Sequence, residues 1–441
     1  MPAFSYPDNL YDSVKSKWTK KIWGEEVVPV LPDRGIVKNM IETAYHASFL
    51  TEERRRLWFR VVYISPEEIE GDEVEFPFEY IKIIKFNNPR IFNVNELLKL
   101  APAADPAQVL IGVYNKGKTK ELEIWGLIEE GTSWWDFTRY ESSGGSPPPN
   151  AFTISSRRPG QISISRQGEV VLELEQGKIV ESLANIFVIG PVVNFLERGQ
   201  QELYREVCEK VGTECWDPKG EDDDYPQRDY IFLLERILNR IREKHHGGTL
   251  IMIPDNVTIS DTRLKDRINI KYPCHYNSAW EALVYELTTH NIYYDLHFKL
   301  WDKKNITNEE YQKCSVEDMN LQEATQIVKY AAGFLASLSA VDGAIVMTNK
   351  FRLVGFGAEI TATSPSLEKI KVITAFEKSV GENIDIEHFG TRHRSAFRFC
   401  SSFEDSLAFI VSQDGDIKIA KREGSEVLLW PNIKIGSLGS I

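Results

Sequence analysis

The sequence of 441 residues is poor in cysteine and has no long apolar run. Its five cysteines form no CxxC pair and no zinc-ligand spacing, which argues against a zinc site and predicts reduced thiols. No stretch approaches the roughly 20 apolar residues that a bilayer-spanning helix needs, and residues 1–7 lack the basic-then-apolar pattern of a signal peptide. We therefore expect a cytoplasmic protein with no membrane partner.

An excess of basic charge is also absent. The formal net charge of -13 repels polyanions, whereas a bulk nucleic-acid binder is basic or carries a basic patch. We expect no nucleic-acid partner, and any affinity for phosphate should be confined to a local pocket of Arg and Lys. Hydrophobic residues at 42% and charged residues at 27% are close to globular averages, and the length predicts two or three domains.

A charged segment with two prolines, residues 217–226, is the best domain boundary that the sequence offers. It separates an N-terminal domain (1–215) from a linker (216–228) and a C-terminal domain (229–435). The predicted fold class is mixed α/β, in the α+β sense, with a mixed sheet flanked by helices in the C-terminal domain. The N-terminal domain is predicted to be α+β, with a helix over 37–60, strands at 61–65, 80–86, 109–114 and 121–127, a hairpin over 161–174, and a closing helix over 192–211.

The C-terminal domain begins with a helix near Asp229 whose apolar positions recur at three- and four-residue steps. Gly247-Gly248 ends that helix, and His245-His246 before it fits a helix cap better than a metal pair, because adjacent helical residues point about 100° apart. The later pattern predicts helices within 278–287 and 321–338, and strands at 249–253, 344–348, 351–356, 407–412 and 417–421.

Two short motifs offer chemistry. Asp342-Gly343-Ala344 precedes an apolar strand and presents a carboxylate, although Asp-Gly is also a common turn. Gly390-Thr391-Arg392-His393-Arg394 opens a helix, and it could be a solvated basic helix start. Cations at a helix N-terminus oppose the macrodipole, however, and a bound polyphosphate would resolve that conflict.

Together the two motifs resemble the signature of the diadenylate cyclase (DAC) domain family, which condenses two ATP into cyclic di-AMP and two pyrophosphates. The resemblance covers roughly residues 225–435 in the family's order of elements. It implies that Asp342 is the catalytic carboxylate and holds Mg²⁺ or Mn²⁺. It also implies a triphosphate site at the second motif, with Arg392, His393 and Arg394 in catalytic roles. The residues implied to bind substrate are Gly343, Ala344, Gly390, Thr391 and Ser412.

The symmetry of cyclic di-AMP has a further implication. Each ATP supplies the 3′-hydroxyl that attacks the other, so one domain is half a site and two cyclase domains must associate face to face. The chain departs from the family pattern in three places. Val341 replaces a histidine found in some members, Gln413 follows Ser412 where many members have an acidic residue, and residues 361–388 are predicted to contain an insertion.

The sequence therefore predicts a diadenylate cyclase whose N-terminal domain senses an unknown ligand or protein, the sensing role resting on analogy with the family. Trp134-Trp135 could line a ligand cleft there, although large aromatic residues are more often core. Two alternatives stay open. One is a non-catalytic protein that binds ATP or a cyclic dinucleotide, and the other is a scaffold that uses the domain only for assembly.

Overall fold

A computed structural model describes residues 10–19, 28–53, 55–70, 82–115, 121–130, 148–175, 177–180, 186–187, 190–212, 225–301, 303, 305–364, 366–375, 380–413, 415–431, 433 and 435. The chain forms two compact units, Met1–Ser182 (unit 1) and Leu183–Gly436 (unit 2). Both contain a mixed sheet with helices, so the α+β class is confirmed. Trp134-Trp135 and most of the linker expected at 216–228 lie outside the described residues.

Unit 1 is built on a sheet of eight described strands in the order β10-β9-β8-β7-β3-β5-β6-β4. Only the pair β3 and β5 is parallel among these strands. The helices are α1 (Leu10–Trp18), α2 (Arg34–Ser48), α3 (Pro66–Glu70) and α4 (Val94–Leu100). The strands are β1 (Thr51–Glu52), β2 (Arg55–Arg56), β3 (Phe59–Tyr63), β4 (Lys82–Ile91), β5 (Val109–Tyr114), β6 (Glu123–Glu129), β7 (Phe152–Ser156), β8 (Gln161–Arg166), β9 (Glu169–Glu175) and β10 (Lys178–Val180).

One helix predicted for unit 1 was wrong in its extent. The helix expected over 37–60 ends at Ser48, because β1 pairs with β2 around Glu53, whose φ of 47° cannot continue a helix. Arg55 and Arg56 therefore lie on a short strand and not on a helix face. The hairpin of β8 and β9 is confirmed, and its turn residues Gln167 and Gly168 both have positive φ, as a tight hairpin requires.

Unit 2 is built on nine described strands in the order β12-β14-β13-β11-β17-β18-β19-β15-β16. The helices are α5 (Pro191–Val211), α6 (Tyr225–Glu243), α7 (Thr262–Lys265), α8 (Ser278–Trp301), α9 (Asn308–Ser337) and α10 (Thr391–Ser402). The strands are β11 (Gly248–Ile253), β12 (Ile268–Tyr276), β13 (Ala344–Thr348), β14 (Leu353–Ile360), β15 (Lys369–Ala375), β16 (Val380–Asp385), β17 (Leu407–Val411), β18 (Ile417–Glu423) and β19 (Glu426–Trp430).

Apolar side chains cover both faces of the unit 2 sheet. One core joins the sheet to α5, α6, α8 and α9, and the other joins it to α7 and α10. Phe195, Leu196 and Leu203 of α5 are buried in the first of these cores, so α5 belongs to unit 2. The sequence had placed this helix at the end of the N-terminal domain, because the charged segment after it is the stronger composition break.

Among the four cysteines that the structure describes, one differs from expectation. Cys274, Cys314 and Cys400 are free thiols, whereas Cys208 is disulfide-bonded. The prediction of reduced thiols is therefore wrong for Cys208, since spacing alone does not show which cysteines meet in space.

Candidate functional site at one edge of the unit 2 sheet

The strand register brings three separate chain segments to one edge of the sheet. β13 runs parallel to β11 with Ala344 opposite Thr249, and β17 runs antiparallel to β11 with Val411 opposite Gly248. The residues that precede β11 and β13 therefore lie at the same edge as those that follow β17. Because neighbouring strands are about 4.8 Å apart, the three segments span about 10 Å. Asp342 and Ser412, far apart in sequence, are thus placed on the same edge.

The Asp342 segment presents an exposed carboxylate. Its side chain makes no hydrogen bond or ion pair with the residues that the structure describes. Gly343 has a φ of 118°, and a Cβ there would lie 2.6 Å from the carbonyl carbon of Gly357. Only glycine fits this close approach to β14. Ala344 is buried as the first residue of β13, so both residues after Asp342 hold its backbone against the sheet.

The second motif forms the N-terminus of α10. Gly390 is the extended N-cap residue and provides no side-chain bond, and the first helical turn contains no acidic residue. The Arg394 amide donates to the Gly390 carbonyl at 3.1 Å, which leaves the amides of Thr391, Arg392 and His393 without an acceptor inside the helix. These amides and the positive end of the helix dipole form a site suited to an anion.

The side chain of Arg392 reaches from the start of α10 to the sheet edge. Its Nη1 atom lies 2.6 Å from the position that a Cβ on Gly247 would occupy, and the Val411 carbonyl oxygen lies 2.7 Å from the same point. The guanidinium therefore lies over the backbone where β11 begins. It is exposed and makes no hydrogen bond or ion pair with any described residue. Sequence reasoning identified Gly247 as a helix terminator but missed this contact.

Arg394 differs from Arg392 because it is already paired. Its guanidinium forms an ion pair with Glu387, and Arg398 lies 4.0 Å from the same carboxylate. Glu387 belongs to the segment 361–388 that the sequence marked as an insertion. That segment forms β15 and β16, which extend the sheet beyond β19, and a short 3₁₀ turn that carries Glu387 to α10.

His393 faces a less polar environment than its two arginine neighbours. Its Nε2 atom is buried and has no hydrogen-bond partner in the described structure, and its ring centroid lies 5.9 Å from that of Phe389. Burial, together with the positive charges of Lys418 and Arg392, lowers the pKa of His393 to about 4. The imidazole is therefore neutral at pH 7 and can act as a hydrogen-bond partner but not as a cation.

Ser412 shapes the turn between β17 and β18. Its Oγ accepts a hydrogen bond from the Asp416 amide at 2.9 Å, and its own amide donates to the Asp416 carbonyl at 2.8 Å. Because Oγ accepts in this turn, the hydroxyl proton remains able to donate to an oxygen at the sheet edge.

A cavity of about 490 Å³ lies beside α10, within the segment that the sequence marked as an insertion. Its lining includes Thr363, Ser364, Asp385, Glu387 and Arg398. The volume is in the range of small-molecule sites. Sequence reasoning missed it, because these residues become neighbours only when β15 and β16 fold back toward the helix.

The described residues contain no group of three or more His, Cys, Asp or Glu side chains that could hold a metal ion. Of the helices in the described ranges, none combines the length and the apolar character that crossing a membrane requires.

Comparison with known families matches part of the N-terminal half of the chain. The family model of the probable sensor domain DACNV matches residues 26–129, which lie in unit 1 and include α2, α4 and β3 to β6. This match supports the sensor domain that the sequence predicted for the N-terminal part. Asp342 and Arg392 lie outside the matched range. No curated protein and no solved structure matches the chain.

Proposed function

We propose that unit 2 is a diadenylate cyclase, which joins two ATP into cyclic di-AMP and releases two pyrophosphates. The observation that carries the proposal is the convergence of an unpaired carboxylate, an unpaired guanidinium and an uncapped helix N-terminus at one sheet edge. Asp342, Arg392 and the first amides of α10 all have bonding capacity that no described residue satisfies. A nucleoside triphosphate with a divalent cation would satisfy all three.

Each of these groups would have a separate role in the reaction. Arg392, the α10 amides and the Ser412 hydroxyl would bind phosphate oxygens and offset the charge that develops as the pyrophosphate leaves. Asp342 would orient the ribose 3′-hydroxyl toward the α-phosphorus of the other ATP. An exposed carboxylate also fits Mg²⁺ or Mn²⁺, whose hard oxygen ligands would be completed by phosphates and water, and the ion would supply charge neutralisation.

The reaction needs two copies of the candidate site. Each ATP supplies one 3′-hydroxyl and one α-phosphorus, so the attacking group and its target come from different bound nucleotides. Two unit 2 sites must therefore face each other across a pair of ATP molecules. A sensor in unit 1 could regulate the rate by changing how the two sites face each other. The match of residues 26–129 to a probable sensor domain supports that role.

The test is to incubate the purified protein with ATP and Mg²⁺ or Mn²⁺ and to separate the products by chromatography. Wild type should form cyclic di-AMP, and Asp342→Asn should lose the product while it keeps most of its ATP affinity. Asp266→Asn is the matched control, because Asp266 is an exposed aspartate on the same unit with no side-chain bond to a described residue. Wild type that binds ATP without making the dinucleotide, with either metal and at high protein concentration, would exclude the cyclase.

A second function is favoured by the ion pair of Glu387 with Arg394. The resemblance to diadenylate cyclases assigns Arg394 to the triphosphate, but its guanidinium is already paired with a carboxylate. The protein would then bind ATP or a cyclic dinucleotide without turnover and report it to unit 1. Binding of the nucleotide by wild type and by Asp342→Asn with equal affinity, and no product from either, would support this alternative.

A further inference from the structure

We propose that the helical hairpin of α8 and α9 is a self-association surface, and that α9 pairs with α9 of a second copy of this chain. The inference does not rest on the proposed cyclase activity. It starts from an excess of apolar surface on the hairpin that nothing in the described structure covers.

The outer part of the hairpin lacks a core of its own. Within residues 291–323, which we call the arm, Leu300 is the one described residue that is buried. The inner part is different, because Val328 and Leu335 of α9 are buried against the rest of unit 2. Two helices that cover only each other bury too little apolar surface to be stable in water, so the arm needs further packing.

Local bonds nevertheless form at the described helix ends of the arm. Thr307 and Glu310 form a capping box at the start of α9, and Lys303 forms an ion pair with the same glutamate across the turn. Lys299 and Asp295 add an ion pair along α8. These bonds fix the ends of the two helices, and packing against a partner would supply the remaining stabilisation.

The apolar residues of α9 are arranged for helix pairing. Steps of three, four, four, three and four residues define one stripe, whose members are Val316, Met319, Glu323, Ile327, Tyr330 and Phe334. Five of the six are apolar, and their exposed fractions run from 39% for Ile327 to 73% for Tyr330. Side chains at this spacing face one direction, which is the pattern of a helix–helix seam. Here the seam faces solvent, apart from Phe334, whose ring centroid lies 4.8 Å from that of Tyr276 on β12.

The exposed area is large enough for a stable dimer. Phe298, Trp301, Tyr330 and Phe334 are between 46% and 85% exposed. At about 200 Å² for a complete aromatic side chain they expose roughly 570 Å². The largest apolar patch of a typical monomer is about 300–600 Å², and each partner contributes about 800 Å² to a standard interface. Val316, Met319 and Ile327 add to the aromatic area and bring the hairpin to that size.

Charge favours a second copy over a lipid surface. Acidic residues outnumber basic ones along both α8 and α9, whereas helices that lie on membranes are rich in Lys and Arg on their polar face. The acidic residues of α9 also fall in its first 16 positions, up to Glu323. An antiparallel pair places that half of each helix against the less charged half of the other, and four helices then form a bundle.

The test is sedimentation velocity of the full chain over a range of concentrations. Wild type should sediment as a species of twice the 50.5 kDa chain mass at micromolar concentration, and Met319→Lys with Tyr330→Lys should shift it to the monomer. The control is Val30→Lys with Ile91→Lys, which adds the same charge at exposed apolar positions of unit 1. That variant should remain dimeric. A wild-type monomer, or a dimer that survives the α9 substitutions, would overturn the proposal.

Hydrogen exchange of wild type gives a second measurement that needs no variant. Amides of the arm and of residues 324–334 should exchange more slowly at high protein concentration than after dilution, while those of β8 and β9 should not change. Exchange independent of concentration would contradict the pairing. A monomer that instead binds vesicles of anionic lipid through the arm would also refute it, and would assign the surface to a membrane.

Discussion

The guanidinium of Arg392 lies against the backbone of Gly247, so a side chain from the start of α10 reaches the start of β11. A Cβ at Gly247 would displace the guanidinium and would also lie 2.7 Å from the Val411 carbonyl oxygen. Gly247 also has a φ of 64°, a conformation that L-residues rarely adopt. The candidate site thus depends on a residue that carries no functional group.

Gly247→Ala should therefore lower both stability and ATP affinity. The left-handed backbone costs about 1–2 kcal/mol for a residue with a Cβ, and the contact with the Val411 carbonyl adds an overpacking cost of about 1–3 kcal/mol. Denaturant unfolding measures the first effect, and calorimetric titration with ATP measures the second.

Gly424→Ala is the matched control for this substitution. Gly424 has a φ of 58° but open space around its Cβ position. It should show the backbone cost alone, with unchanged ATP affinity. Equal losses of stability in the two variants, with ATP binding preserved in both, would show that the contact of Arg392 with Gly247 has no role in binding.

Removal of the Glu387 charge should strengthen nucleotide binding. In Glu387→Gln the Arg394 guanidinium loses its ionised partner and becomes available to phosphate. The pair is largely exposed on the Glu387 side, so the folded state should lose less than about 1 kcal/mol. We expect ATP affinity to rise by up to about tenfold, or 1.4 kcal/mol.

Glu382→Gln tests whether this gain comes only from a lower negative charge. Glu382 is exposed on β16 and makes no bond to a described side chain. Its substitution changes the net charge equally and should leave the affinity almost unchanged. A similar gain in both variants would attribute the effect to general electrostatics and not to Arg394.

The pKa of His393 should report on where the phosphates bind. Without ligand it is lowered to about 4. A bound triphosphate places negative charge near the ring and should raise this pKa by about 1–3 units. NMR titration of the imidazole with and without ATP measures the change. His290 on α8, whose pKa is also lowered to about 4 by burial, is the internal control and should not respond.

The lowered pKa of His393 also makes the stability of the fold depend on pH. His393 has a lower pKa in the folded chain than its ordinary value of 6.5, so the unfolded chain binds more protons between these values. The contribution of His393 to the free energy of unfolding is therefore complete above its pKa in the unfolded chain. It is lost as the pH falls toward about 4. In His393→Asn the unfolding free energy should therefore depend less steeply on pH between 4 and 6.5 than in wild type. An unchanged slope would contradict the burial of this ring.

The sequence predicted the parts of unit 2 whose pattern is local. The strand Ala344–Thr348 has its predicted bounds, and the apolar face of α6, with Ile231, Leu234, Leu238 and Ile241, is buried as expected. The strand expected at 351–356 begins at Leu353 instead, because Phe351 has a φ of 51° and forms the turn. Short strands with continuous apolar runs and clear turns are the easiest elements to read from a single sequence.

Other parts of unit 2 could not be predicted from the sequence, because they depend on contacts between residues that are far apart in the chain. The helices α8 and α9 are far longer than the segments 278–287 and 321–338, since a helix that is apolar on several faces gives little periodicity. The ion pair of Glu387 with Arg394 and the contact of Arg392 with Gly247 both join residues from different elements. The two motifs were visible in the sequence, but the difference between the two arginines was not.

That difference predicts unequal effects of two similar substitutions. Arg392→Ala removes a guanidinium with no competing carboxylate among the described residues, so it should cost about 1.5–3 kcal/mol of ATP binding, the range for a charged hydrogen bond. Arg394→Ala removes a group that must first leave Glu387, so its cost should be smaller. Calorimetric titration with ATP compares them, and Arg205→Ala, an exposed arginine on α5, is the control. An equal or larger loss in Arg394→Ala would mean that the ion pair breaks when ATP binds, and that Arg394 contacts the phosphates directly.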